Sequence, residues 1–449
     1  MDKILIYLKK IIPKSIFKFF QPYYHKALSY VADFFYCKPS NKLIVIGVTG
    51  TNGKSSTAHL IAKSLEAKGD KTGETSTVFF KVGDKEWLND KKMTMLGRFA
   101  LQKILKQMVK EGCKYAVVET SSEGIKQSRH LGVNYDTVVF TNLTPEHIES
   151  HGGFENYKKA KLKLLRHLER SKKKKIGGKR INKTIVANLD DKHVKDFLNF
   201  KVNNKIGVTT KDGKNNLTEN ILKAENIKLT ESGTSFEVDG EKINLKLVGE
   251  FNVYNTLLSI GVGVQQGFNV KELKIELEKI KGIEGRMENI KEGQKFQVIV
   301  DYAPEPESLR QAYNTILKIR KKENKVIHVL GSCGGGRDIA RRPVLGSMAG
   351  KKADYVIITN EDPYDDDPME IIDNVAEGAI KEGKILNDNL FKILDRREAF
   401  NKALTLARKN DIVLITGKGS EQAMCVAHGK KIPWDDRMVV KEELKNIKK

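Results

Sequence analysis

The stretch LIVIGVTGTNGKSST, from Leu43 to Thr57, decides the fold of this chain. Its first half is a short apolar run that ends in glycine, which is typical of a buried parallel strand. The next segment, AHLIAKSLEAKG, reads as a helix. A glycine-rich loop between a strand and a helix indicates a phosphate site, because backbone amides and the helix N-terminus hold the phosphates and a lysine neutralises them.

The glycines of this loop follow the spacing GxxGxxGKS rather than the common GxxxxGK[ST]. We expect Lys54 to reach the β- and γ-phosphates of a bound nucleotide, and Ser55 or Ser56 to place a hydroxyl on Mg²⁺. A purely structural glycine turn is the alternative. The nucleotide contacts predicted in this loop are Gly50, Thr51, Asn52, Gly53, Lys54, Ser55 and Ser56.

Apolar runs of the same kind recur along the chain, with helical stretches between most of them. The runs are Tyr115–Val118, Thr137–Phe140, Thr184–Val186, Val298–Val300, Val326–Leu330, Tyr355–Ile358 and Ile412–Ile415. This alternation predicts an α/β fold with mainly parallel sheets. Residues 225–250 instead show short alternating runs, which predict an antiparallel patch. A length of 449 residues suggests two or three domains, and the alternation restarts near Lys281–Glu288, where we expect a boundary.

Residues 1–40 differ from the rest of the chain. They contain ten of its 31 Phe and Tyr residues, with seven Lys and two Asp, a local net charge of +5. The pattern predicts two short amphipathic helices that separate near Pro22. A basic, aromatic, amphipathic segment can lie on an anionic membrane surface. The alternative is a helical cap that packs on the next domain.

The composition narrows the class of protein. No stretch of ~20 apolar residues is free of charge, so no spanning helix is expected, and the lysine-broken start argues against a secretory signal. The four cysteines lie far apart without a CxxC pair, which argues against a zinc ribbon and fits a reducing cytoplasm. A formal charge of +23 fits nucleic acid, anionic lipid, polyanionic substrates or a lysine-rich proteome. We expect a cytoplasmic protein, with peripheral contact at the inner membrane face as an option for residues 1–40.

Three side chains beyond the phosphate loop are candidate groups of a metal site. Strand Tyr115–Val118 ends in Glu119, and a carboxylate at the carboxyl end of a strand beside a phosphate loop is placed to hold Mg²⁺. His147 follows the next strand, and Lys161 lies 14 residues further on. Alone, such a histidine is a satisfied polar residue and such a lysine a solvated charge. Beside Glu119 and Lys54, His147 becomes a ligand candidate.

Nine ordered blocks of the sequence resemble the Mur ligase family. The blocks are GVTGTNGKSS, ETSSEGIKQSR, TNLTPEHIESHGGFENYKKAK, LVGEFNVYN, GRME, VDYAPEPESL, GGGRDIARRP, TNEDP, and GKGSE with KIPWDDR. They span roughly residues 43–440 and are most similar to the member type that adds the third residue of the stem peptide. The resemblance implies a central ATP-binding domain, 41–283, and a C-terminal Rossmann-like domain, 284–449, after the helical segment 1–40.

The resemblance also implies roles for individual residues. Glu119 and His147 match magnesium ligands, Ser55 adds a hydroxyl, and two Mg²⁺ ions are expected. Lys161 matches the lysine that CO₂ carbamylates in this family, which would turn a cation into a carboxylate-like metal ligand. These implied catalytic residues are Lys54, Glu119, His147 and Lys161. On ATP, the implied contacts outside the loop are Asn252 and Asn255 near the adenine, Arg286 at the hinge and Asp301 on the ribose. The implied substrate contacts are Thr94, Ser122, Gln127, Arg129, Arg337, Asp362, Tyr364, Gly417 and Glu421.

Four features depart from the family pattern. The usual N-terminal domain that holds the uridine has no counterpart, and the aromatic segment 1–40 stands there instead. DYAH reads Asp301-Tyr302-Ala303-Pro304, and GKGHE carries Ser420 in place of histidine. The TTP block is present only as Thr94-Met95-Leu96.

The reaction implied is ATP-dependent amide ligation. A carboxylate of a UDP-linked muramoyl dipeptide attacks the γ-phosphate, and an amino acid then attacks the acyl phosphate that results. Members that add meso-diaminopimelate usually carry Asp-Asn-Pro-Arg, where this chain reads Glu361-Asp362-Pro363-Tyr364. An acidic pocket without that arginine favours lysine or ornithine over diaminopimelate, unless Arg337 or Arg341 holds the distal carboxylate. We expect a monomer and no nucleic acid partner.

Three alternatives remain open at this point. The first is another amide ligase of the family, of folylpolyglutamate or cyanophycin type, against which ETSSEGIKQSR and GKGSE argue. The second is a P-loop NTPase that binds nucleic acid, which would want basic and aromatic residues clustered on one face. The third is a non-catalytic scaffold, against which the retained Lys54, Glu119, His147 and Lys161 argue.

Overall fold

The computed structural model describes residues 14–146, 148–212, 217–336 and 339–447. Its helices are α1 (Lys14–Phe35), α2 (Lys54–Ser64), α3 (Arg98–Lys110), α4 (Ser122–Lys126), α5 (Ile148–His151), α6 (Phe154–Arg170), α7 (Val194–Leu198), α8 (Phe251–Gln265), α9 (Val270–Lys279), α10 (Pro306–Ile319), α11 (Arg341–Lys352), α12 (Pro368–Lys381), α13 (Arg396–Leu406) and α14 (Asp436–Ile447). Its strands are β1 (Ile44–Thr49), β2 (Thr72–Thr75), β3 (Phe79–Val82), β4 (Lys85–Leu88), β5 (Tyr115–Glu119), β6 (Thr137–Phe140), β7 (Lys175–Ile176), β8 (Lys179–Arg180), β9 (Thr184–Asn188), β10 (Asn204–Thr209), β11 (Asn220–Lys223), β12 (Glu225–Thr230), β13 (Gly233–Val238), β14 (Glu241–Leu245), β15 (Glu288–Asn289), β16 (Gln297–Val300), β17 (Val326–Leu330), β18 (Tyr355–Thr359), β19 (Leu390–Ile393), β20 (Ile412–Ile415), β21 (Ala423–Val426) and β22 (Lys430–Pro433).

The first sheet has nine strands in the order β11-β10-β9-β6-β1-β5-β2-β3-β4. Its strands pair in parallel from β11 to β2, and β3 and β4 continue the sheet as antiparallel strands. Strand β1 lies inside the sheet and is buried on both faces, which is why its sequence is a continuous apolar run. Ile44, Ile46 and Val48 pack into the core under α2 and α8, while Val45 packs into the core on the opposite face. We call this sheet with its helices the central unit.

The antiparallel patch expected at residues 225–250 is present. Strands β12, β13 and β14 form a three-stranded antiparallel sheet. Phe236, Val238 and Ile243 from this sheet join the core that α8 and α9 cover. The patch is therefore packed against the central unit.

The second large sheet has six strands in the order β15-β16-β20-β17-β18-β19. All its neighbouring strands pair in parallel except β15 with β16. Helices α10, α11 and α12 cover one face, and α13 and α14 cover the other. We call this sheet with its helices the C-terminal unit. The predicted α/β architecture with mainly parallel sheets is confirmed.

The expectation of two short helices near the N-terminus is wrong for the described residues. Helix α1 runs from Lys14 to Phe35 and contains Pro22. A proline removes one backbone hydrogen bond and crowds one turn, but it does not end a helix that tertiary contacts hold. Such contacts exist beyond Pro22, where Ser29 and Ala32 are buried against the central unit.

None of the helices in the described part of the chain combines the length and the apolar character that a membrane crossing requires.

Candidate active site

The loop after β1 is shaped by two close backbone approaches. Gly50 and Gly53 have φ angles of 150° and 79°. A Cβ on Gly50 would lie 1.9 Å from Oγ1 of Thr141, and a Cβ on Gly53 would lie 2.5 Å from Oδ1 of Asn255. Neither position has room for a side chain. Because α2 begins directly after Gly53, its free N-terminal amides face this loop, which is the arrangement that binds phosphate.

The Glu119 carboxylate lies beside the phosphate loop at the end of β5 and is buried. Its Oε2 accepts hydrogen bonds from Oγ of Ser55 at 2.8 Å, from the amide of Thr77 at 2.7 Å and from Oγ1 of Thr77 at 3.0 Å. A hydroxyl and a carboxylate at this spacing are hard oxygen donors of the kind that Mg²⁺ takes, with substrate phosphates completing its shell. The donor set therefore fits magnesium.

Lys161 lies on α6 with only 1% of its side chain exposed. Its Nζ donates a hydrogen bond to the carbonyl oxygen of Gly50 and lies 4.5 Å from the ring centre of Tyr157. Burial, and next the positive charge of Lys54, hold the pKa of Lys161 well below its usual value. The side chain is thus a buried amine beside the phosphate loop, and its surroundings stabilise the neutral form more than water does for an exposed lysine.

A cleft of about 1000 Å³ lies between the central unit and the C-terminal unit. Lys54, Ser55, Glu119 and Lys161 line its wall on the central unit. The predicted residues that also line it are Thr51, Asn52, Gly53, Ser56, Thr94, Ser122, Arg129, Asn255, Arg286, Asp301, Asp362, Tyr364 and Glu421. Residues from both sequence halves thus face one space.

Four of the predicted residues do not line the cleft, and two more are not described by the structure. Gly50, Gln127, Asn252 and Gly417 do not line the cleft. The other two, His147 and Arg337, lie outside the described residues.

The two asparagines predicted near the adenine hydrogen-bond to each other and to neighbouring protein groups. Nδ2 of Asn255 donates to Oδ1 of Asn252 at 3.0 Å, and Oδ1 of Asn255 accepts from Oγ1 of Thr57 at 3.1 Å. Asn252 in turn donates to the carbonyl oxygen of Val248 at 2.9 Å. In this structure the pair fastens the start of α8 to the phosphate loop and α2.

Arg286 and Asp301 lie where the two units meet. The guanidinium of Arg286 stacks 4.5 Å from the ring centre of Tyr302. Asp301 accepts hydrogen bonds from the amides of Met287 at 3.2 Å and Tyr302 at 2.9 Å. Burial raises the pKa of Asp301, and the charge of Arg286 opposes that rise. A carboxylate held in this way can still accept from a ligand hydroxyl.

The acidic pocket expected for the incoming amino acid is not a set of free carboxylates. Asp362 accepts from Nζ of Lys92 at 2.5 Å and from Nζ of Lys418 at 3.0 Å. Glu421 lies 2.8 Å from Lys418 and 3.4 Å from Lys92. Burial raises the pKa of Asp362, but Lys418 and Lys92 outweigh it and the net shift is downward. Two carboxylates therefore face two ammonium groups, because Lys92 reaches across from the other unit.

Arg341 was the other residue considered as a partner for the distal carboxylate of diaminopimelate, and it is itself in an ion pair. Its guanidinium donates to a carboxylate oxygen of Glu305, and both residues are buried. An arginine already paired inside the C-terminal unit offers less charge to a ligand.

Sequence reasoning missed three residues of this site. Lys92 lies in the loop after β4, where a lysine carries no signal of burial, and its partner Asp362 is 270 positions away. Thr77, which donates twice to Glu119, belongs to no recognisable motif. Lys418 could have been found, because it stands inside the quoted GKGSE block.

The described residues contain no group of three or more His, Cys, Asp or Glu side chains that could hold a metal ion. A metal at this site would accordingly depend on Ser55, Glu119 and oxygen atoms of a bound nucleotide. The arrangement can hold a triphosphate at one end of a cleft whose other end carries polar groups from the second unit. It suits transfer of a phosphoryl group to a second substrate in the same cleft.

Two family models match the chain. The model described as Mur ligase middle domain matches residues 48–263. The model described as Mur ligase, glutamate ligase domain, matches residues 285–419.

Curated relatives and a solved structure of the same kind of ligase are similar to this chain. A UDP-N-acetylmuramoyl-L-alanyl-D-glutamate–2,6-diaminopimelate ligase of Halalkalibacterium halodurans is 36% identical over 424 residues, 94% of this chain and 82% of the relative. A UDP-N-acetylmuramyl-tripeptide synthetase of a Roseiflexus species is 34% identical over 432 residues, with the same two coverages of 94% and 82%. A solved structure of a UDP-N-acetylmuramoyl-L-alanyl-D-glutamate–2,6-diaminopimelate ligase superposes with a TM-score of 0.61 at 26% identity, and covers 94% of this chain and 84% of that one.

Proposed function

The chain belongs to the Mur ligase family, and from this premise we propose that it adds the third amino acid of the stem peptide to UDP-N-acetylmuramoyl-L-alanyl-D-glutamate. The protein is an ATP-dependent ligase of peptidoglycan synthesis. The choice of the third position of the stem peptide rests on the substrates named for its relatives. The observation that carries it is the cleft, where Lys54, Glu119 and Lys161 face Asp362 and Glu421 of the other unit.

At the nucleotide end, the amides that open α2 would hold the phosphates of ATP. Nζ of Lys54 donates to the carbonyl oxygen of Thr51 at 2.5 Å. A phosphate oxygen offers that ammonium a charge as well as a hydrogen bond, so Lys54 would exchange one acceptor for the stronger one. Its role is to offset charge on the β- and γ-phosphates.

Ser55 and Glu119 would hold Mg²⁺, and His147 is the third candidate ligand proposed from sequence. When bound, the ion supplies positive charge that lets an anionic nucleophile approach the γ-phosphate. Glu119 is fixed for that role by the two hydrogen bonds from Thr77. The Glu119 carboxylate is thereby held in one orientation before the ion binds, so its side chain loses little conformational freedom when it does.

The chemistry then proceeds in two displacements. A carboxylate oxygen of the dipeptide attacks the γ-phosphorus in line, the bond to the bridging oxygen breaks, and ADP leaves an acyl phosphate behind. The amine nitrogen of the amino acid attacks the acyl carbon, loses a proton and expels inorganic phosphate. Because an acyl phosphate is open to hydrolysis, the two units must exclude water from the cleft while it exists.

Lys161 is proposed to carry a carbamate. An amine nitrogen attacks the carbon of CO₂, a proton is released, and an anionic carbamate forms. The position supports this change, since Lys161 is buried beside the phosphate loop with Lys54 as a cationic neighbour. The product would place a second carboxylate-like group at the magnesium end of the cleft.

For the incoming amino acid we propose lysine or ornithine, whose side chains end in an amine. Asp362 and Glu421 would accept that amine once Lys92 moves away. Among the described residues, Lys418 would then be the cation still paired with the two carboxylates. The relative from Halalkalibacterium halodurans carries diaminopimelate in its name, so diaminopimelate is the competing candidate. Diaminopimelate differs from lysine by one distal carboxylate.

The test is ATP-dependent ligation with the purified full chain. ADP release should require the UDP-muramoyl dipeptide together with an amino acid, and kcat/KM should be highest for lysine or ornithine in a panel that includes meso-diaminopimelate. A preference for diaminopimelate would overturn the choice of amino acid alone. ADP release that ignores the muramoyl dipeptide and depends on folate polyglutamate or nucleic acid would overturn the proposed function.

A further inference from the structure

Helix α1 presents a row of large apolar side chains to solvent. Phe34 is 76% exposed, Phe35 66%, Val31 53%, Tyr30 48% and Tyr24 38%. Their spacing of three, four and seven residues places them on one side of a helix. The same side carries Phe20 and Tyr23, exposed by 59% and 65%. We call these seven residues the aromatic row.

The opposite side of α1 is fastened to the central unit. Ser29 is buried and its Oγ donates to the carbonyl oxygen of Ser128 at 2.7 Å. Nε of Arg98 donates to the carbonyl oxygen of His25 at 3.0 Å. A Cβ on Gly132 would lie 2.6 Å from the carbonyl oxygen of Ser29, so the two backbones touch. The helix cannot turn the aromatic row inward without breaking these contacts.

Positive charge lies along one flank of the aromatic row. Lys26 of α1 is exposed, and Asp33 is the acidic residue in the sequence of that helix. Helix α3 packs beside it, with the rings of Phe35 and Phe99 6.3 Å apart. The sequence of α3, RFALQKILKQMVK, contains four basic residues and no acidic one. A surface that is apolar at its centre and basic on its flank complements an anionic apolar boundary.

We propose that the aromatic row of α1 docks on an anionic lipid bilayer. An amphipathic helix lies in the plane of the interface with its apolar side in the headgroup and acyl boundary, and its lysines attract anionic lipids. Phenol and phenyl rings suit that depth, because tyrosine keeps a polar tip in water while its ring is buried. A second copy of the chain fits less well, since two basic faces would meet across the interface.

Docking would also orient the cleft. The guanidinium of Arg98 donates both to His25 of α1 and to the carbonyl oxygen of Gln127. Arg129, two residues further on, lines the cleft. The end of the cleft at Arg129 therefore lies on the side of the central unit that faces the bilayer. This docking does not depend on the reaction proposed above.

The experiment is co-sedimentation of the full chain with vesicles of phosphatidylglycerol and phosphatidylcholine, compared with vesicles of phosphatidylcholine alone. We expect at least about tenfold tighter binding to the anionic vesicles, weakened by added salt because the attraction is screened. The double variant Tyr30→Ser/Phe34→Ser should lose about tenfold or more of that binding. The control Ile380→Ser/Ile385→Ser removes two side chains of the C-terminal unit that are 52% and 61% exposed and should bind as wild type.

A second variant tests the proposal in case the serine variant does not fold. Lys103→Glu/Lys110→Glu reverses two exposed charges on α3 and leaves the aromatic row intact. It should bind anionic vesicles less than wild type and retain the wild-type thermal melt.

Three results would overturn the proposal. One is a wild-type chain that ignores anionic vesicles. Another is equal vesicle binding by wild type and both variants. The last is a dimer, or a complex with single-stranded RNA, that the serine variant abolishes while vesicle binding is absent.

Discussion

The ammonium of Lys92 lies 2.5 Å from a carboxylate oxygen of Asp362, and the pair joins the central unit to the C-terminal unit across the cleft. Both side chains are nearly buried, with 9% and 5% exposed. Lys92 also donates to the carbonyl oxygen of Ala423 at 3.0 Å. Because a buried charge is costly without its partner, these contacts hold the units together and keep Oδ2 of Asp362 from accepting the amine of a substrate.

Substitution of Lys92 should change how amino acids bind. In Lys92→Met, Asp362 and Glu421 would retain Lys418, and the excess negative charge should attract an amine-ended side chain. We expect KM for lysine or ornithine to fall about tenfold, which corresponds to about 1.4 kcal/mol. The readout is KM for each amino acid at saturating ATP and UDP-muramoyl dipeptide.

Lys91 supplies the matched control for that substitution. It pairs with Asp90 at 2.6 Å and both side chains are more than half exposed. Lys91→Met should leave KM unchanged. If the two variants have the same KM for lysine, Lys92 does not compete with the substrate amine.

Removal of the phosphate-loop lysine should abolish ligation without unfolding the chain. In Lys54→Ala no side-chain ammonium would offset charge on the γ-phosphate, and loss of one such group costs roughly 10²–10³-fold or more in kcat. ADP release measures the rate, and a thermal melt checks the fold. Lys63→Ala, at the far end of the same helix, should be nearly fully active. Comparable turnover in Lys54→Ala and wild type would remove Lys54 from the reaction.

Lys161→Ala should be inactive and partly rescued by a small carboxylate such as acetate. The added anion can occupy the place of the proposed carbamate, which the alanine leaves empty. Lys163→Ala, on the exposed side of α6, should keep wild-type activity without added acetate. Isotopically labelled CO₂ and NMR would identify the carbamate directly in the wild type. An active, unrescued alanine variant would contradict the role.

The ion pair of Arg396 with Asp436 should matter far more for stability than a surface pair. Asp436 accepts from Nε of Arg396 at 2.9 Å and from Nη2 at 2.7 Å, and both side chains are 0% exposed. Asp436→Asn leaves a buried guanidinium without its counter-charge, and we expect a loss of about 3–5 kcal/mol in the free energy of unfolding.

Glu442→Gln is the control for that stability measurement. Glu442 is 54% exposed and lies 2.6 Å from Arg397. Its loss should cost about 1 kcal/mol or less, because water and salt screen an exposed pair. Urea unfolding of the two variants and wild type measures both values. Equal midpoints would mean that the buried pair contributes nothing.

Much of the fold was predictable because a parallel strand that is buried on both faces has a continuous run of apolar residues. Tyr115–Val118, Thr137–Phe140 and Ile412–Ile415 were each expected and lie inside β5, β6 and β20. The break expected at Pro22 was wrong, since contacts of Ser29 and Ala32 hold α1 as one helix. The expectation that a proline ends a helix considers only the neighbouring turn. It does not take into account tertiary contacts seven to ten residues further along the chain.

The sequence by itself determined the phosphate loop. Gly50 and Gly53 permit the backbone approaches, Lys54 follows at once, and every group needed lies within a few residues. Such a motif is readable because its geometry is local, a matter of backbone angles and the start of one helix. The family blocks are readable for the same reason, since each is a short contiguous run.

Only the tertiary structure decided the charge of the pocket for the amino acid. Asp362 and Glu421 look like free acids in the sequence, but Lys92 neutralises part of their charge from 270 positions away. A Coulomb interaction depends on distance and on the surrounding dielectric. Both are set when the two units pack against each other, and neither can be read from spacing along the chain.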